Sequence, residues 1–165
     1  MSWRIYSIIP KDITYIPSID EMNKIDEFLG QHGVNKGIFK HEIYKRVQVV
    51  VNPRGVGEVT CPSCNELIHE SWVFDIIGEI YDTTDVDNKG IELRDLNEKR
   101  QTPCCGNFIS LTDIDYDYSL RFCSYKAECS DEYLLPRESM EFVEKINRHS
   151  TEYLGFPAEL FIGAY

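Results

Sequence analysis

The chain has 165 residues, 42% hydrophobic and 27% charged, with 28 acidic against 17 basic side chains and a net charge of −11. This composition excludes collagenous, disordered and coiled-coil classes, and the length suits a single domain, 1–165, with a real core. The acidic excess repels phosphate at long range, which weighs against broad nucleic-acid binding.

Trp3 to Ile9 is a short apolar and aromatic run closed by Pro10, which predicts a strand. Ser18 with Glu21 forms a capping-box pattern and predicts a helix that carries Met22, Ile25, Phe28 and Leu29 on one face and ends at Gly30. Glu42 to Asn52, with the β-branched core RVQVVVN, is the clearest strand and is stopped by Pro53 and Gly55. The segment 57–108 breaks this rhythm, with a cysteine pair at each end. Within it Val73, Ile76, Ile77 and Ile80 repeat at helical spacing, whereas Asp82 to Lys99 is polar and predicts an extended, mobile connection.

Leu120 to Ser130 then predicts a strand with Cys123, Tyr125, Ala127 and Cys129 on one face. Pro136 suits the first turn of a helix bearing Met140, Val143 and Ile146, and Pro157 precedes a last strand, Glu159 to Tyr165. Without its middle section the order is strand–helix–strand twice over. That order predicts an α+β fold, a ferredoxin-like βαβ–βαβ sandwich, with 57–108 inserted between the second and third strands as a zinc-ribbon-like lobe.

Six cysteines are too few for a disulfide scaffold in a chain of this length, and their spacing suits a metal or redox site. Cys61-Pro62-Ser63-Cys64 is a tight two-ligand turn, and Cys104-Cys105-Gly106 supplies a second cluster. Zn2+ takes four thiolate or imidazole ligands in a tetrahedron, and short-spaced cysteines on two loops provide them. Because the second pair is adjacent, His69 stands as an alternative to one of Cys104 and Cys105. Four cysteines leave no open coordination position, so such a site is structural. CPSC by itself also matches the redox-active CPxC pattern, though that motif opens a helix near the start of its domain. Cys123 and Cys129 lie about 20 Å apart along one strand and read as buried core residues.

Catalytic signatures are missing. His69-Glu70 continues as HESWV, which lacks the second histidine of HExxH, and no P-loop, GxGxxG or GxSxG is present. A zinc deaminase would need HxE and PCxxC, and neither occurs. A non-enzymatic role is expected. No run approaches a membrane span and the first residues lack a signal-peptide pattern, so a cytoplasmic location is expected.

Charge is uneven. Residues 1–58 hold 8 basic and 7 acidic side chains, whereas residues 66–138 hold 7 and 17. Asp82, Asp85 and Asp87 form one acidic cluster; Asp113, Asp115 and Asp117, interleaved with Tyr116 and Tyr118, form another. Such clusters are either solvated surface or a patch that captures a basic protein, where carboxylates steer the partner and tyrosine adds contact area. An EF-hand pattern is absent.

With CPSC, Trp72, TPCCGNFISLTDIDYD and the strand SLRFCSYKAECS, the chain resembles a group of small bacterial proteins, most of them uncharacterised, that carry a CPxC…Trp…PCCG…SLxDLxY pattern. The terminal YLGFPAELFIGAY is similar too, and the resemblance spans roughly residues 59 to 165. It implies a zinc ribbon grafted on an α+β sandwich, with Cys61, Cys64, Cys104 and Cys105 as ligands. It also implies a likeness to immunity partners of bacterial polymorphic toxins. The leading expectation is therefore a protein-binding module that neutralises a cationic toxin domain, such as a nuclease, without touching nucleic acid or membrane. Two alternatives stand beside it. One is a zinc-ribbon nucleic-acid or transcription-associated factor using Lys36, Lys40, Lys45, Arg46 and Arg54; the other is a thiol oxidoreductase using Cys61 and Cys64.

Overall fold

Chain elements follow one another largely as the hydrophobic patterns predict. The computed structural model describes residues 4–32, 39–52, 54–130 and 139–164. Its elements are β1 (Arg4–Pro10), α1 (Ile19–Gln31), β2 (Lys40–Val51), β3 (Glu58–Thr60), β4 (Leu67–His69), α2 (Glu70–Ile80), α3 (Leu93–Leu96), β5 (Arg100–Gln101), β6 (Phe108–Ile109), β7 (Leu120–Ser130), α4 (Ser139–Leu154) and β8 (Ala158–Ala164). Trp3, Lys36, Pro53, Pro136, Tyr165 and the side chain of Met140 lie outside the described residues.

The fold is mixed α+β. A four-stranded antiparallel sheet has the order β2-β7-β1-β8, and β3-β4 and β5-β6 form two separate hairpins. Contacts within the chain divide it into two units, one running up to Tyr44 and from Cys123 onward, the other Lys45–Phe122. The second unit contains the expected 57–108 lobe and extends beyond it on both sides.

In the first unit, alternation sets the core. Tyr6 and Ile8 of β1, Tyr125, Ala127 and Cys129 of β7, and Ala158 and Leu160 of β8 fall on one strand face, as a two-residue period requires. They share a cluster with Ile25, Phe28 and Leu29 of α1 and Phe142 and Ile146 of α4. Ser18 caps α1 with the full reciprocal box: the Ser18 side chain accepts from the Glu21 amide and Glu21 accepts from the Ser18 amide at 2.8 Å. Gly30 does not end this helix. It runs to Gln31, because His32 satisfies the end carbonyls, its amide donating to Leu29 at 3.1 Å and its Nδ1 to the Phe28 oxygen at 2.8 Å.

Two polar arrangements complete this unit. The buried Tyr125 hydroxyl meets His41 Nδ1 at 2.7 Å, and His41 Nε2 meets Asp26 at 3.0 Å, so a core phenol keeps its hydrogen bond. The edge strand β8 is covered by α4: Ser150 Oγ accepts from the Ala158 amide and Asn147 Oδ1 from the Leu160 amide, both at 2.8 Å. Edge amides engaged in this way offer less of a template for another chain.

In the second unit the polar stretch 82–99 departs from expectation. It is folded rather than extended. Asp82 bridges Gly90, Ile91 bridges Val47, and a turn of helix follows at Leu93–Leu96. The reason is local burial, since Ile91 and Leu96 are both fully enclosed at 0% exposure. Gly90, at φ +138°, passes so close to the β2 backbone that an added Cβ would lie 2.7 Å from the Val47 oxygen. Gly90→Ala is expected to cost about 2–3 kcal/mol in urea unfolding, from strain and overpacking combined. A loss under about 0.5 kcal/mol, the range of ordinary surface changes, would show that the bridge relaxes freely.

Candidate metal centre

Each half of the centre is a hairpin with a six-residue loop. β3 and β4 pair Thr60 with Leu67 and enclose CPSCNE, residues 61–66; β5 and β6 pair Gln101 with Phe108 and enclose TPCCGN, residues 102–107. The two loops close in the same way. The first amide donates to the sixth carbonyl, Cys61 to Glu66 at 2.9 Å and Thr102 to Asn107 at 2.8 Å. The fifth amide returns to the first carbonyl, Asn65 to Cys61 at 2.9 Å and Gly106 to Thr102 at 3.1 Å. That fifth residue is left-handed in both, at φ +63° for Asn65 and +74° for Gly106, a conformation that asparagine and glycine tolerate best.

These loops bring four sulfurs together. The Sγ atoms of Cys61, Cys64, Cys104 and Cys105 all lie within 4.8 Å of one another, and Cys64 and Cys104 are 3.5 Å apart. A tetrahedral thiolate site with metal–sulfur bonds near 2.3 Å has edges of about 3.8 Å, so the cluster can hold a metal ion. All four are free cysteines. Protons are held unequally across the cluster. The Thr102 hydroxyl and then the Asn107 amide bring the Cys105 thiol down to about 6. Burial opposes ionisation of Cys61, but the amides of Ser63 and Cys64 prevail and lower it. Cys64, despite the Glu66 amide, is pushed up to about 12 by burial and the neighbouring sulfurs. A bound cation would displace the remaining protons.

His69 is not a member of the cluster. Its Nδ1 accepts from the Ser71 amide at 3.2 Å and caps α2, and the second hairpin supplies both Cys104 and Cys105 instead. Glu70 anchors the start of α2, its Oε2 accepting from the amides of Val56 at 3.0 Å and Gly57 at 2.8 Å.

Comparison of the chain with family models, with curated proteins and with solved structures found no match. The geometry of the cysteine loops and of the acidic surface is therefore what bears on function.

The acidic residues separate into engaged and displayed groups. Asp82 pairs with Arg46 at 2.5 Å and accepts from Thr84; the Thr84 hydroxyl and the Arg46 guanidinium hold its carboxyl down to about 2. Asp85 and Asp87 are exposed, and Asp85 organises its own turn through Asn88 and the Asp87 amide. Asp113 accepts from the Ser110 amide at 2.8 Å, and Asp115 from the Asp117 amide at 3.0 Å, while all three of Asp113, Asp115 and Asp117 stay exposed.

The expectation for Tyr116 is corrected. It is a core residue, 5% exposed, its hydroxyl donating to the Leu111 oxygen at 3.0 Å and its ring edge-on to Phe122. Asp117 and Tyr118 adopt left-handed backbone, at φ +47° and +63°, which breaks the alternation that would put Tyr116 and Tyr118 on one face. Tyr118 is 48% exposed, with the Arg121 guanidinium 5.3 Å above its ring. Among the described residues no helix is long and apolar enough to cross a membrane.

The equivalence of the two loops, and Thr102 in the place of Cys61, were not recognised from the sequence. The signal was available in CPSCNE and TPCCGN, which share a second-position proline and a fourth-position cysteine.

Proposed function

We propose that the four cysteines hold a structural zinc ion and that the chain is a non-enzymatic protein-binding module, an immunity protein that neutralises a cationic bacterial toxin domain in the cytoplasm. The sheet order β2-β7-β1-β8, with α1 and α4 sharing the core of one strand face, reads as a ferredoxin-like sandwich. The hairpins at 57–108 then read as its zinc-ribbon insertion. Zinc bound to four thiolates has no open position and supplies a cross-link between loops, not a reaction centre.

The observation that carries this reading is the displayed group Asp113, Asp115, Asp117 and Tyr118, three carboxylates and a ring on one short segment of an acidic chain. Carboxylates placed this way raise the capture rate of a basic partner. The alternatives have less support. Arg46, a candidate phosphate contact, is engaged by Asp82 at 2.5 Å and Glu92 at 2.9 Å. CPSC lies in a hairpin loop, not at the helix N-terminus that activates a redox cysteine.

A pull-down from the source cell, washed at low and then high salt, tests the reading. One stoichiometric basic protein that is toxic when expressed alone is the expected result; nucleic acid or polymerase components would overturn it. With that partner in hand, reversing Asp113, Asp115 and Asp117 to lysine should slow association at low salt by about tenfold or more and flatten its salt dependence. An unchanged on-rate removes this segment from the interface.

A further inference from the structure

Both loops bury their first residue. Cys61 is 0% exposed and Thr102 3%. Each is fixed by the same pair of backbone bonds, its amide donating to the sixth carbonyl and its own carbonyl accepting from the fifth amide. Each also turns its side chain to the cluster: Cys61 supplies a sulfur, and Thr102 brings its hydroxyl to 3.3 Å from the Cys105 sulfur. Among the described residues that sulfur is the only hydrogen-bond partner of the hydroxyl. The second loop therefore directs three side chains at the centre, an oxygen from its first position and sulfurs from its third and fourth.

A metal-bound thiolate carries no proton, so between Thr102 and Cys105 the hydroxyl is the donor. A hydrogen bond of this kind fixes the direction of the ligand and adjusts its electron density. The buried hydroxyl needs the same contact, since a donor enclosed without a partner is costly. We infer that Thr102 is a positioning residue of the metal centre, which stands in a ligand's place and holds the Cys105 thiolate in its bound orientation. The inference rests on the reading of the cluster as a metal site. It also makes position 102 a place from which a sulfur could bind. Sulfurs around a tetrahedral site lie about 3.8 Å apart, and the longer carbon–sulfur bond extends a side chain now 3.3 Å from Cys105 toward that spacing.

The test uses the full chain reconstituted with Co2+ as a spectroscopic probe, and with zinc in competition against a chromophoric chelator. Thr102→Val keeps the shape and removes the hydroxyl. It is expected to bind one metal about 10–100-fold more weakly and to move the sulfur-to-cobalt charge-transfer band to longer wavelength, as a thiolate relieved of its hydrogen bond is the richer donor. Thr102→Ser is expected to restore both the affinity and the band. The double variant Thr102→Cys, Cys104→Ser makes the second loop CPSC like the first, and it is expected to bind zinc more tightly than Cys104→Ser alone. A valine variant with affinity and band unchanged overturns the inference while leaving the metal reading intact. So does a serine variant as weak as valine, or a double variant no better than Cys104→Ser. A wild-type chain that takes up neither metal overturns both.

Discussion

If the four cysteines hold zinc as proposed, chelation, or replacement of the buried Cys61 by alanine, is expected to open the two hairpins of the second unit while the four-stranded sheet keeps its protection. The argument is one of size. β5 and β6 have two residues each and β3 and β4 three, far below the length at which a hairpin holds itself together in water. Structural zinc contributes about 10–16 kcal/mol of apparent binding energy in small peptides, and that energy is folding energy when the site forms only in the native state. Here the buried Val59, Ile68 and Ile109 also contribute to the stability of the hairpins, so a loss of at least about 4 kcal/mol is expected, not the whole figure. Hydrogen exchange at 58–69 and 100–109 in the presence of a chelator reads it directly. Cys123→Ala is the control: Cys123 is buried on β7, its thiol pushed up to about 12 by burial, and it lies outside the cluster. Unchanged exchange after chelation would show that packing alone holds the loops.

Phe156→Ala should be the most damaging single truncation in the first unit, costing about 3–5 kcal/mol in urea unfolding. Phe156 is 1% exposed, belongs to the central cluster and stacks on Tyr15 with ring centroids 5.2 Å apart. Its position explains the size of the effect. It follows Gly155, whose φ of +89° ends α4, and precedes Pro157, so it is held on a short fixed turn. Neighbours can collapse little into the space an alanine would leave there. A cost near 1 kcal/mol would mean that Tyr15 swings in to fill the cavity.

The elements with a strong period were readable from residues alone. Ile25, Phe28 and Leu29 recur at helical spacing and are buried, and Tyr125, Ala127 and Cys129 alternate and are buried. The cysteine quartet was readable for a related reason: thiolate chemistry demands those residues at short spacing whatever surrounds them. The segment 82–99 was not. Ile91 and Leu96 are two apolar residues in a polar stretch, with no period, and their burial depends on β2 and on a bridge that local pattern does not encode. Tyr116 was misplaced because it was grouped with the aspartates beside it, whereas it follows Ile114 into the core and both are buried between the exposed Asp113, Asp115 and Asp117. Thr102 was overlooked because the loop repeat resides in backbone hydrogen bonds, while the two sequences differ at the residue that usually announces it.

The left-handed pair at Asp117 and Tyr118 has a consequence for engineering. Elsewhere among the described residues a positive φ falls on Gly55, Gly57, Gly90, Gly106 or Gly155, and once on Asn65. At 117 and 118 it keeps a carboxylate and a large ring, although a side chain in that region costs about 1–2 kcal/mol per residue. Any search for a sturdier version that ranks substitutions by thermal tolerance will therefore favour glycine at these two positions. It would yield a protein that survives heating better and is blank where the charge and the aromatic ring now stand.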